Sequence, residues 1–410
     1  MLKLETVLKT IMRMTIRKGI GLKLLLIFIA ILLSDFCVAQ SIFKSPQNLD
    51  DFSLGYTKII GQDDSGYYVL TSNLSYNLES DRAGFRTRKY KLGYFSISLE
   101  KTWEMNVNSF SPDAELRSLE FFGGQPLLIS TLWKKEDKTL ALYATPVGPE
   151  IKQKSNPNPV ATFQSPVNPD RIIICSSLHK DKLNIVLLFT SENDRTGILS
   201  AILNGDLTLL YKREGVIAQP RKIFDITNMV VSDSGESYLL GLRTEKPKAL
   251  SSKRDYSWFL YHFESSEIHE SSLGRNLELF NLSMTLDEFS QKAIIAGLYN
   301  DKESFIGSGI YYATSNGKED PSVYTTSIDA NQNLRLKGAR NKSGDVGLSG
   351  YPIRKIIPRG DGGSVIVAES AFTSEYSYFD SFSQTYTRRL EYNFGDIIAF
   401  SVSSTGIPDW

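Results

Sequence analysis

An all-β fold built from one repeated unit is what this sequence predicts, and three observations carry the prediction. Short apolar runs alternate with polar turns along nearly the whole chain. A turn ending in Gly and followed by an apolar strand recurs, with Asp64-Ser65-Gly66 before Tyr67-Tyr68-Val69-Leu70, Asp233-Ser234-Gly235 before Tyr238-Leu239-Leu240, and Asp361-Gly362-Gly363 before Val365-Ile366-Val367. Aromatic residues are abundant, 20 Tyr and 22 Phe, as strands favour. Weaker copies at Gly123-Gly124, Asp181-Lys182 and Gln291-Lys292 bring the turns to six, at intervals of about 50 to 70 residues, near the periods of repeat architectures. A repeat with four strands is a blade, so the expected fold is a β-propeller of about six four-stranded antiparallel blades. Seven blades, if the sequence is a fragment, and a β-sandwich array are the alternatives.

Residues 1–39 read as a signal peptide. Lys3, Lys9, Arg13, Arg17, Lys18 and Lys23 precede the uncharged run Leu24 to Leu33, and Ala39 and Gln40 flank the expected cleavage point. The apolar run is too short for a membrane span of about 20 residues, and Asp35 ends it. Without the leader, 40 basic residues face 44 acidic ones, so the mature chain is mildly acidic and evenly mixed. That balance argues against nucleic acid, which requires clustered Lys and Arg. Cys175 is then the only cysteine, which excludes an internal disulfide. Its apolar setting, Arg171 to Ile174, marks it as a small core residue rather than a nucleophile.

Residues 40–51 form a polar lead-in, a candidate clasp for closing the ring, and residues 52–410 form the propeller. In the first repeat, Tyr56 to Ile60 and Tyr67 to Thr71 are strands about a turn over Gln62 to Gly66. Leu92 to Leu99 is a third strand and Trp103-Glu104-Met105 a fourth. The third strands of later repeats are expected at Leu140 to Thr145, Ile198 to Leu203, Trp258 to Phe263, Gly309 to Thr314 and Ile397 to Val402. The last of these is followed by text ending at Trp410, within what would be the outermost strand of blade six.

Strands in a meander alternate direction, so the links between strands two and three gather on the face opposite the Gly-containing turns. These are long, from Ser72 to Lys91, Arg243 to Tyr256 and Glu369 to Asp396, and the link from Asp329 to Tyr351 falls on the same face. Long loops on a rigid scaffold are where binding is usually placed. The Glu369 to Asp396 link is the richest in aromatics, and Tyr376, Tyr378, Phe379, Tyr386, Arg388 and Arg389 are the candidate ligand-binding residues. The competing reading is that these alternating aromatics extend the flanking strands into a long twisted hairpin.

Signals for chemistry are few. The three His residues, at 179, 262 and 269, have no metal-site spacing, and the Asp turns lack the alternating oxygen ligands of a calcium loop. Neither a phosphate-cradling Gly-x-x-x-x-Gly-Lys loop nor a Gly-x-Ser-x-Gly elbow occurs. No catalytic residue, metal or cofactor is therefore assigned.

Ser96-x-Ser98-x-Glu100-x-Thr102-Trp103 resembles a degenerate Asp-box, the turn between third and fourth strands of sialidase-like propellers, with the usual Asp and Gly both replaced. The box implies a structural turn, and that family's catalytic Arg, Tyr and acid have no counterparts to match here. More broadly, the Asp-x-Gly hairpins, the leader ending Val38-Ala39-Gln40 and the text Gly395 to Trp410 resemble secreted bacterial β-propeller repeat proteins with Asp-box or kelch-like blades. The expectation is an exported binding or scaffolding module, periplasmic, on the cell surface or extracellular, with a protein or glycan ligand. A carbohydrate hydrolase or lyase with its site at the channel is the alternative, as is the N-terminal part of a larger surface protein.

Overall fold

The protein is described by a computed structural model over residues 56–72, 90–149, 157–245, 255–264, 267–274, 277–301, 308–327, 351–380 and 385–409. The expected leader, its cleavage point and the lead-in clasp lie outside these residues.

Six antiparallel sheets follow one another along the chain, each a meander in which successive strands are neighbours. Sheet one comprises β1 (Tyr56–Asp63), β2 (Gly66–Ser72), β3 (Tyr90–Ser96) and β4 (Lys101–Val107). Sheet two comprises β5 (Glu115–Phe122), β6 (Gln125–Lys134), β7 (Thr139–Pro146) and β8 (Ala161–Gln164), and sheet three β9 (Arg171–Ser176), β10 (Lys182–Thr190), β11 (Arg195–Asn204) and β12 (Leu209–Pro220). In sheet four, β13 (Phe224–Val231) and β14 (Ser237–Glu245) precede β15 (Asp255–Glu264) and β16 (Glu267–Leu273). Sheet five repeats the plan with β17 (Leu277–Asp287), β18 (Lys292–Asp301), β19 (Ser308–Ser315) and β20 (Ser322–Ser327). Sheet six has three strands among the described residues, β21 (Ile353–Pro358), β22 (Ser364–Asp380) and β23 (Thr385–Val402).

The expected third strands are β7, β11, β15, β19 and the end of β23. After β23 the chain reverses, and it starts back along that strand as a fourth strand would. Val402 bridges Pro408, and the Asp409 N–H donates to the Ser401 carbonyl at 2.8 Å.

First strands pack against first strands, β1 on β5, β9 on β13, β13 on β17 and β17 on β21, while the outer strands β8 and β12 meet each other. This radial order makes the sheets blades and the fold a six-bladed β-propeller. Five of the six first strands carry a register shift, near Gly61, Arg117, Thr227, Asn281 and Arg354. Such bulges add local twist where the inner edge turns round the axis. At the first of them Gly61 is required for space, since a Cβ there would lie 2.0 Å from the Phe121 ring of the next blade.

Five apolar clusters join consecutive blades. Phe122, Leu127, Ile129 and Leu142 of sheet two meet Leu183, Ile185, Leu187 and Leu199 of sheet three. Sheets three and four share Val186, Leu188, Ile198, Phe224 and Tyr261, and comparable clusters join four to five, five to six and one to two. Successive residues of β10 belong to different clusters, because alternate side chains point to opposite faces and both faces are covered. Each fully buried Leu or Ile contributes about 1.5–3 kcal/mol, well above an exposed ion pair at about 0–1 kcal/mol. Blade stacking, not surface charge, therefore holds the array. No helix among the described residues is long and apolar enough to cross a membrane.

Leu127→Ala, at a fully buried position in the interface of sheets two and three, is expected to lower unfolding stability by about 2–5 kcal/mol. Leu209→Ala, at a residue 41% exposed, should change it by less than about 0.5 kcal/mol, both variants being read against the parent by urea titration.

Candidate functional site

Strand alternation divides the ring into a turn end, carrying the links between strands one and two and between three and four, and a loop end, carrying all others. At the turn end the recurring sequence signal is a hairpin device. Ser232, Arg359 and Ser403 each accept from the residue three positions on and donate to the residue four positions on, with Gly235, Gly362 and Gly406 left-handed at φ 91°, 81° and 73°. This is a three-residue hairpin loop, and Gly adopts its last conformation without strain. The Asp-box-like segment has the same form, with Leu99 at the left-handed place and Ser96 Oγ accepting from the Glu100 N–H at 3.2 Å. Its Trp103 stacks on Tyr94 with ring centroids 5.8 Å apart. These motifs build hairpins.

Titratable groups gather at the turn end. In blade one, Asp63 accepts from the Tyr94 and Tyr68 hydroxyls at 2.7 and 3.0 Å. The Tyr94 bond leads in lowering the Asp63 pKa, while burial, helped by Asp63, pushes Tyr68 up to about 12. Farther round, the turn after β9 places His179 Nδ1 2.5 Å from Asp233 Oδ2 in the turn after β13. The bond to Asp233 raises the His179 pKa. Asp233 stays below its ordinary value because the His179 bond and charge outweigh its burial, and burial raises Glu288 in the turn after β17. Three consecutive blades thus set two carboxylates on opposite sides of their usual range, beside an exposed imidazole. Within the ring, Glu120 on β5 is also raised by burial, and the Cys175 thiol on β9 is pushed up to about 11, also by burial, which keeps it an inert thiol.

At the loop end the carboxylates are met by arginines. Arg117 Nη2 lies 3.1 Å from Glu115 and donates to Asn168 Oδ1 and the Pro169 carbonyl, while its Nε donates to Thr131 Oγ1. Arg171 of blade three pairs with Asp225 of blade four at 3.1 Å, and Arg221 pairs with Asp170 at 2.8 Å. In blade six Arg354 pairs with Glu369 at 2.9 Å. Arg117, Arg171 and Arg221 tie a blade to its neighbour or to the connection beside it, and Arg354 ties β21 to β22 within blade six.

The Glu369 to Asp396 link takes the second of its two readings, the extension of its flanking strands into a long hairpin. β22 and β23 stay paired from Ala371 and Phe394 to Asp380 and Thr385, far beyond β21, whose pairing begins at Ile353 with Ala368. The result is a two-stranded ribbon of about 30 Å at 3.3 Å per residue, the hairpin extension that alternating aromatics equally allow. All six candidate residues occupy it. Register pairs Tyr376 with Arg389 and Tyr378 with Thr387, so these positions share one ribbon face, while Phe379 with Tyr386 and Ser377 with Arg388 fall on the other. The candidates are thus shared between two faces rather than gathered in one patch. At the ribbon base Phe394 and Ile397 are 61% and 69% exposed, and the Arg354 guanidinium lies 5.7 Å from the Phe394 ring centroid. The other long links, within 72–91, 243–256 and 329–351, lie largely outside the described residues.

No family model and no curated protein matches the chain. Among solved structures, the β-propeller domain of the Trilobed protease from Pyrococcus furiosus matches with 10% identity over 87% of this chain and 92% of that one, at a TM-score of 0.36. A protein of unknown function from Bacteroides caccae matches with 11% identity over 78% and 88%, at 0.29. Prolyl oligopeptidase B from Galerina marginata matches with 9% identity over 86% of this chain and 44% of its own, at 0.41. None of these likenesses bears on what the present chain binds.

The His179–Asp233 pair gives a measurable consequence. By NMR the His179 titration midpoint should lie above the usual value of about 6.5 and fall back toward it in Asp233→Asn. The pair stabilises the fold where both groups are charged. Its contribution is lost as pH rises through the raised His midpoint, and again in acid as Asp233 protonates.

Proposed function

We propose that this protein is an exported binding or scaffolding β-propeller that presents its loop end, foremost the β22–β23 ribbon, to a protein or glycan ligand. The observation that carries the reading is the continuation of the ribbon beyond the rest of its sheet. A two-stranded hairpin is marginally stable alone in water, so a ribbon that continues past its sheet calls for a reason. Rigid amphipathic Tyr residues offer large contact area at low entropy cost, and Arg388 and Arg389 add donors for carbonyl, carboxylate or hydroxyl oxygens. At the ribbon base Phe394 and Ile397 add exposed apolar surface. Export rests on the leader pattern of residues 1–39.

A second reading, a carbohydrate hydrolase or lyase, draws on the turn end. There Glu288 is pushed toward the protonated form and Asp233 toward the ionised one, the separation that acid and base roles need. The binding reading is the better supported, because it stands on the geometry of the ribbon, whereas the second reading stands only on the opposed shifts of the two turn-end carboxylates.

The test is a glycan array and a protein pull-down with the chain from Gln40 onward, beside Tyr376→Ala/Tyr378→Ala/Tyr386→Ala. Loss of about 30-fold or more in affinity, with unfolding unchanged, is the expected result, since aromatic hot spots are worth about 2 kcal/mol or more. Equal binding by both forms would contradict the ribbon as the site. No glycan bound by either form would remove glycans from the reading and leave the protein ligand to the pull-down.

A further inference from the structure

A cleft opens at the loop end between the outer parts of sheets two and three, away from the ribbon. Its volume is about 490 Å³, within the range of small-ligand sites. Three connections border it: the β6–β7 turn with Lys138, the link after β8 with Gln164 to Pro166, and the β10–β11 turn with Ser191 to Arg195. Phe189, 6% exposed, gives it an apolar floor, and Val216, 52% exposed, an apolar wall.

Two features separate this cleft from the rest of the loop end. The first is charge. Several nearby cations are paired, Arg221 with Asp170 and Arg117 with Glu115, and Lys222 reaches Asp194 at 3.7 Å, whereas Lys134 and Lys135 at the β6–β7 connection make no ion pair among the described residues and lie outside the lining. Lys138 and Arg195 both line the cleft, and among the described residues neither has an ion-pair partner. Glu192 is the one carboxylate in the lining, so the cleft has an excess of positive charge.

The second feature is rigidity. The Ser165 N–H donates to the Lys138 carbonyl at 2.7 Å, and Trp133 Nε1 donates to the Ser165 carbonyl at 3.1 Å. Across the cleft, the Ser191 N–H and Oγ both donate to the Arg195 carbonyl, at 2.9 and 3.0 Å, and the Arg221 N–H fixes the Asp194 carbonyl at 2.8 Å. Asn193 and Asp194 are both left-handed there, at φ 63° and 59°, as a tight hairpin turn requires. The backbone under both cations is therefore set before any ligand arrives, which lowers the cost of binding.

We propose that this cleft binds a short acidic saccharide, of about disaccharide size, through its carboxylate. Arg195 and Lys138 take the carboxylate, Arg195 as a two-donor fork and Lys138 as a point charge. Glu192, Asn193 and Gln164 supply the mixed acceptors and donors that sugar hydroxyls demand, and Val216 packs against an apolar ring face. This abundance of polar side chains favours a saccharide over an apolar peptide terminus. The site is independent of the ribbon.

Calorimetry with the full chain and digalacturonate, beside its neutral digalactose counterpart, tests the proposal. Digalacturonate is expected to bind at least about tenfold more tightly than the neutral sugar, and Arg195→Gln and Lys138→Gln should each weaken it by about tenfold, the scale of one charge-assisted hydrogen bond. Both side chains lack pairing partners, so the variants should unfold as the parent does, which circular dichroism checks. The ribbon variant of Tyr376, Tyr378 and Tyr386 should bind digalacturonate unchanged. The proposal is overturned if digalacturonate does not bind at millimolar concentration, if the neutral sugar binds equally, or if the two cleft variants bind as the parent does. Loss confined to the ribbon variant, or tighter binding of a short acidic peptide at the cleft, would overturn it as well.

Discussion

Every part of this structure depends on burial of the sheets on both faces. Antiparallel sheets commonly keep one face for water and read as an alternation of apolar and polar residues. The middle strands here do not. β10 is buried from Leu183 through Phe189, β11 from Thr196 through Leu203, and β6 from Pro126 through Thr131. A four-stranded sheet that is apolar on both faces has no stable existence alone and must lie between two others. Radial stacking satisfies that need for sheets two to five, each of which shares an apolar cluster with both neighbours, and it leaves the two ends of the ring for polar chemistry.

Charge then serves the stack. Arg171 with Asp225 and Arg221 with Asp170 bridge neighbouring blades or their links at the loop end. Arg117, 6% exposed, is surrounded by Glu115, Asn168, Thr131 and a carbonyl, the full set of partners a buried guanidinium needs to offset its desolvation. Such groups hold register between blades. What they leave over is informative: cations in the cleft between sheets two and three, the imidazole–carboxylate pair at the turn end, and the ribbon.

Much of this was legible in the sequence because the repeated signals are local. Gly235 and Gly362 stand where a hairpin needs a left-handed residue, while Gly66 already belongs to β2 and pairs with Asp63, so the Asp-x-Gly text located strand pairs and, by alternation, the two ends. Runs such as Leu127-Leu128-Ile129 and Ile185-Val186-Leu187 marked strands, and the structure shows them buried on both faces. What escaped was set by distant contacts. The bulges of the inner strands answer to curvature round the axis, and Gly61 is explained by Phe121 of the next blade, 60 residues away in sequence. His179 and Asp233 are 54 residues apart, and neither lies in a pattern that predicts a pair. The link from Glu369 to Asp396 was ambiguous for another reason: alternating aromatics with Ser and Thr suit a loop and a strand equally, and cross-strand pairing settled it as a ribbon. At its base Ile397 was read as a strand residue and Phe394 as part of the link, and only their exposure marks them as surface.

Native-state hydrogen exchange over the whole chain tests the central claim, that two-sided burial fuses the blades into one unit. The account predicts that amides in β6, β10, β14 and β18, the second strands of four different blades, exchange only through global opening, with one shared free energy equal to that of unfolding. Blades exchanging independently, each with its own lower free energy, would contradict it.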